Sequence, residues 1–159
     1  MPAPPLSPQE GRLAAFCKIF SVVYFLGAVG FAAFPGLTFR LVTLGEASSF
    51  TQEAAFWNAL AVAMMVAIAA ACAVVAQRPR ERRHALLPVI AAKLTSSAMA
   101  AVHLAGSGGG RALAAIILTD FPLFVVTLLV YRAAAPGVRS EPARTEPEAA
   151  QPIQIGVPK

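Results

Sequence analysis

The sequence predicts an all-α membrane protein, an up-down bundle of four transmembrane helices with disordered, proline-rich termini, and three observations carry that prediction. Residues 13–34, 54–76, 85–105 and 112–134 are long, nearly uninterrupted apolar stretches. At about 1.5 Å per helical residue, each matches a hydrocarbon core of about 30 Å. Apolar residues make up 57% of the chain and charged residues 13%, a balance far more apolar than that of ordinary soluble domains. The basic residues sit at the ends of the stretches, where lipid headgroups and topology explain a formal charge of +5 without a nucleic-acid partner.

Residues 1–12 carry Pro2, Pro4, Pro5 and Pro8, which remove backbone donors and favour a flexible tail. The first stretch follows Arg12 and contains Lys18, as a signal peptide does, but it runs to Phe34 and is followed by Pro35-Gly36, with no clear small-x-small cleavage site near its end. A retained helix is therefore expected. A lipid-modified Cys17 is not, because bulky Phe16 precedes it and no apolar run lies ahead. Cys17 and Cys72 are expected at similar depth as small packing groups.

The connection Pro35 to Glu53 holds Phe39, Leu41, Val42, Leu44 and Phe50, a composition suited to lying along a membrane interface. In the second stretch Ala55, Ala59, Ala63, Ala67 and Ala71 recur every fourth residue, and in the third Ala92, Ser96 and Ala100 do the same. Such strips let helices approach closely, so these two neighbours are expected to pack on each other, with contact between subunits as the alternative for the first strip. Glu53 and Trp57 stand at the external mouth of the second helix, where Trp57 suits an interfacial anchor. Gly106 to Arg111 reads as a flexible turn; no strand precedes it and no Gly-Lys-Ser/Thr follows, which excludes a phosphate cradle. Residues 135–159 return to Pro, Glu, Ala and Arg and are expected to be disordered, with Ile153 to Val157 as one segment able to dock.

Orientation follows the arginines. Arg78, Arg80, Arg82 and Arg83 crowd the second connection, with Arg12, Arg132, Arg139 and Arg144 on the same side, whereas the other connections hold only Arg40 and Arg111. Both termini are therefore expected on the cytoplasmic face of a bacterial inner membrane.

The third stretch is the least comfortable in lipid. Its seven Leu, Ile and Val residues contribute about −2 to −4 kcal/mol on an insertion scale, against about +3 kcal/mol for a central Lys93. Its polar side must face other helices, water or a partner. At about 100° per residue, Lys93, Ser96, Ser97, Ala100 and His103 form one stripe. In the fourth stretch Asp120, Phe124, Thr127 and Tyr131 share a face, and Pro122, lacking an amide hydrogen, predicts a kink beside the acid.

Lys93 and Asp120 differ in predicted depth by about 6 Å, within a lysine's reach. Their Cβ directions lean apart along the membrane normal, which favours Lys93 stretching toward the arginine-rich side over a direct ion pair. Lys93, Ser96, Ser97, His103, Asp120 and Asn58 form the candidate intramembrane polar cluster, with Glu53 and Trp57 at its external mouth. No metal site is expected, since His84 and His103 lie near opposite surfaces and no cysteine or carboxylate set completes one. No cofactor motif is visible either.

Phe34-Pro35-Gly36, Phe56-Trp57, Arg78-Pro79-Arg80, Lys93-Leu94-Thr95-Ser96-Ser97 and Asp120-Phe121-Pro122-Leu123 together resemble small bacterial four-helix membrane proteins of the DoxX-like type, over about Leu13 to Arg132. The resemblance implies the same four-helix layout and membrane subunits that stand beside oxidoreductases or in stress and redox responses. It transfers no catalytic motif. With no catalytic constellation in view, the leading expectation is a non-enzymatic accessory or assembly subunit that meets the bilayer and either a second copy or a larger membrane partner. Two alternatives remain open: a small transporter or proton conductor using Asp120 and Lys93, and a quinone- or lipid-linked redox subunit with an aromatic cleft near Tyr24, Phe31, Phe121 and Phe124.

Overall fold

The computed structural model describes residues 5–45, 49–107 and 110–135. The predicted disordered segment from 136 onward, with the docking segment at 153–157, lies outside them, as do residues 1–4 and two glycines of the third connection. Among the described residues all regular structure is helical: α1 Pro8–Ala33, α2 Pro35–Val42, α3 Gln52–Gln77, α4 Pro79–Arg82, a 3₁₀ turn Arg83–Leu86, α5 Leu87–Ser107 and α6 Arg111–Ala133. Four helices are long and apolar enough to cross a membrane.

Local chemistry moves the predicted boundaries. Helix α1 begins at Pro8, inside the stretch expected to be tail, because Ser7 and Glu10 close a reciprocal capping box and Pro8 sits at the first helical position. Glu10 lies in this polar first turn, ahead of the apolar stretch that starts at Leu13. Arg80 of α4 forks onto its carboxylate, Nε to Oε1 at 2.7 Å and Nη2 to Oε2 at 2.8 Å, and Nη2 also donates to the Pro5 carbonyl. The guanidinium, together with the Ser7 amide, holds the Glu10 carboxyl far below its ordinary value, at about 2, and Glu10 pushes Arg80 up in turn. The chain entering α1 is thereby tied to the arginine-rich turn.

The connection after α1 is not a plain loop: Pro35 starts the eight-residue α2. It ends in a Schellman arrangement, with the Gly45 amide donating to Arg40 O at 2.8 Å and the Leu44 amide to Leu41 O at 3.1 Å. No residue of α2 is buried, and Leu37, Leu41 and Val42 are exposed.

Helix pairing departs from the predicted α3 against α5. Helix α3 packs along α1, and α5 along α6. Ser21 Oγ donates to Ala69 O at 3.0 Å and Asn58 Nδ2 to Phe31 O at 3.1 Å, so α1 and α3 run in opposite directions and are pinned at the middle of α1 and near its C-terminal end. Gly27 lets them approach: a Cβ there would lie 3.3 Å from Met65 Sδ. Most of the alanine row that prompted the prediction faces away, with Ala55, Ala59, Ala63 and Ala67 exposed, while Ala71 packs half-buried against the core. The strip on α5 does face inward: Ala100 is buried, and Ala92 and Ser96 are half-buried.

Burial is uneven along the helices. Leu13, Cys17, Ile68, Cys72, Val75, Leu86, Val89, Ile90 and Ala134 form one core at the arginine-rich end, where all four long helices and the 3₁₀ turn converge. Both free cysteines are enclosed in it. Toward the other end the buried apolar residues Ala28, Ala54 and Ala100 sit on α1, α3 and α5, and the core does not continue across the two helix pairs.

Candidate functional site

Where the pairs separate, a cleft of about 600 Å³ opens between them. Helices α1 and α3 contribute Tyr24, Trp57, Leu60, Ala61, Met64, Met65 and Ile68; α5 and α6 contribute Ala92, Lys93, Ser96, Ile116 and Asp120. The walls are therefore mostly apolar, with polar atoms gathered on one side.

Those polar atoms belong to a single network. Lys93 Nζ lies 2.6 Å from Asp120 Oδ1, Ser96 Oγ donates to Asp120 Oδ2, and the Lys93 ammonium stands 5.2 Å from the centroid of the Tyr24 ring. The ion pair that side-chain lean argued against is formed. Four flexible methylenes in the lysine outweigh the direction of its Cα–Cβ bond, and the partner acid fixes where the ammonium ends. Side-chain exposure is 14% for Lys93 and 17% for Asp120, so the pair is largely shielded yet still reaches the cleft surface. Ser97, one residue on, is buried and donates to the Lys93 carbonyl at 2.8 Å, satisfying itself within its own helix turn.

The other members of the predicted cluster go elsewhere. Asn58 spends its amide on Phe31 of α1, and His103 is exposed on α5, outside the cleft lining. At the predicted external mouth the two residues part: Trp57 lines the cleft and meets Phe56 edge-on at a ring distance of 5.3 Å, whereas Glu53 sits exposed in the first turn of α3 and does not line it. An acid in that position suits the helix N-terminus. Phe31, Phe121 and Phe124, expected beside Tyr24 in an aromatic cleft, are not among the lining residues.

Tyr24 is the member that the polar-cluster reading missed. Its signal was present: it is one of two tyrosines in the chain and lies in mid-stretch, where a hydroxyl needs a partner. The methionines Met64 and Met65, which give the cleft a deformable wall, carry no signal distinguishable from ordinary apolar lining.

The network can hold an uncharged or polar group by hydrogen bonding, and its net charge is zero. Among the described residues no group of three or more His, Cys, Asp or Glu side chains is placed to hold a metal ion. Comparison of the chain with family models, with curated proteins and with solved structures finds no match, so its fold and this cleft carry the functional argument.

Proposed function

We propose that this chain is a non-enzymatic multi-pass protein of the bacterial inner membrane that holds a small lipid-soluble molecule in the cleft between its two helix pairs. The observation that carries the reading is a polar network at the wall of an otherwise apolar cleft of about 600 Å³, set in helices long enough to span a bilayer. Ligand sites characteristically combine apolar walls with a few convergent polar groups. An ionisable pair at membrane depth is costly to keep without a role.

In the up-down arrangement the arginine-rich α4 turn and both termini face the cytoplasm, and the exposed apolar α2 lies along the opposite interface. Extraction of purified protein with organic solvent tests the reading. Wild type yields one retained apolar molecule per chain, and Ala61→Phe, which fills the cleft from α3, loses it while keeping its helical circular-dichroism signal. Ala92→Phe fills the same space from α5. Recovery from both filled variants equal to that from wild type, or none from wild type, overturns the proposal.

A second reading rests on the outward alanine row of α3, which suits an accessory or assembly subunit packed against another membrane subunit or a second copy, as the DoxX-like resemblance implies. Ala59→Leu with Ala63→Leu then abolishes association in detergent without changing monomer stability. Asp120 as a proton carrier draws less from the geometry, because Lys93 and Ser96 engage both of its oxygens.

A further inference from the structure

We infer that the cleft selects an uncharged amphiphile, a chain-like apolar molecule carrying one neutral hydrogen-bonding oxygen such as a ketone, ester or hydroxyl. The inference rests on the cleft reading above and adds the ligand's class and its orientation.

Charge sets the class. The cleft wall carries one cation and one anion 2.6 Å apart. An anionic ligand drawn to Lys93 meets the Asp120 carboxylate, and a cationic one drawn to Asp120 meets the Lys93 ammonium, so each gains little for its desolvation. Hydrogen-bonding capacity then remains for a neutral head. The carboxylate has about four lone-pair sites, of which Lys93 and Ser96 take two, and an ammonium has three hydrogens, of which Asp120 takes one. The spare capacity on the cleft side therefore includes ammonium hydrogens, which a neutral oxygen such as a ketone carbonyl accepts without adding charge.

Shape sets the orientation. On α3 the lining runs from Trp57 to Ile68, about 16 Å along a helix axis. Tyr24, which meets Lys93, belongs to the Ile68 end, because Ser21 lies opposite Ala69 while Phe31 lies opposite Asn58. The ligand's oxygen thus sits at the Lys93 end and its chain extends toward Trp57. Trp57, Leu60 and Met64 are all more than 40% exposed, so the slot opens sideways along α3, where a membrane-dissolved molecule can enter without crossing water.

Trp57 is the only tryptophan in the chain, which makes the orientation readable. Four probes with the same fourteen-carbon chain, each brominated at the carbon far from its head, are titrated into protein in lipid nanodiscs: the alkane, the 2-ketone, the carboxylate and the primary amine. The ketone is expected to quench Trp57 saturably at about tenfold lower concentration than the alkane, since its bond to a charged donor is a strong one. Carboxylate and amine are expected to do no better than the alkane. Lys93→Met combined with Asp120→Leu, a swap to apolar residues of similar size that leaves no orphaned charge, keeps saturable quenching but levels ketone and alkane. Equal quenching by alkane and ketone in the unaltered protein overturns the inference while leaving the cleft reading standing, as does a preference for the carboxylate or amine. Quenching that never saturates, and is unchanged in Ala61→Phe, overturns both.

Discussion

Leu44 carries a backbone φ of +51°, a positive value that glycine adopts freely and a leucine does not. It occupies the turn that closes α2, with Gly45 behind it at +78°. Leu44→Gly should raise stability by about 0.5–1 kcal/mol, the left-handed penalty relieved less the extra chain entropy of glycine. Leu44→Ala, which keeps the Cβ, should give no such gain. Thermal unfolding of the two variants side by side checks this, and a glycine variant no better than the alanine one refutes it. Lys93 teaches a related lesson about what single residues disclose. Its depth relative to Asp120 was legible from counting along two helices, but its direction was not, because a long flexible side chain goes where its counter-ion is. The partner of Asn58 was equally hidden: a carbonyl on α1 satisfies it, and backbone acceptors carry no mark in a sequence.

Among the elements, α1 and α4 are joined through Glu10 and Arg80, and that contact is pH-dependent in a definite sense. Glu10 has a lowered folded pKa, about 2 against an ordinary value of 4.5. Its contribution is therefore complete above the unfolded value and is lost as pH falls from about 4.5 toward about 2. Acidification through that window should loosen the start of α1, lowering amide-exchange protection over residues 10–12, and Glu10→Gln should show the looser state already at neutral pH. Unchanged exchange in that variant rules the tie out. Pairing of the long helices was the least legible level of the fold. Alanine serves both as a close-packing surface and as an indifferent residue toward lipid, so the periodic row in α3 could not say which way it faced. What joins α3 to α1 is subtler: Gly27 opposite Met65, and two side chains, Ser21 and Asn58, bonded to carbonyls of the opposite helix.

For the whole molecule, cohesion is concentrated at the arginine-rich end. Leu86 is wholly buried there, while Leu118 on α6 is 75% exposed. Leu86→Ala should cost about 2–4 kcal/mol through the cavity it leaves, whereas Leu118→Ala should stay within about 0.5 kcal/mol, and denaturant titrations of both test the asymmetry. Comparable losses would mean that the exposed side of α6 is covered. The four apolar spans could be read from length and composition because those properties are set residue by residue. The cleft could not, since it arises from two helix pairs diverging, a relation between elements distant in the chain.

One consequence concerns the order in which the polypeptide is made. Lys93 leaves the ribosome well before Asp120, yet Asp120 is what neutralises it, with Ser96 of the lysine's own helix bonded to the same carboxylate. Until the last long helix is synthesised, the preceding one carries an unbalanced cation and has little reason to leave the translocon alone. The two should partition into lipid together as a single hairpin, and a nascent chain stopped at residue 107 should stay accessible to protease where one extended through residue 135 is protected.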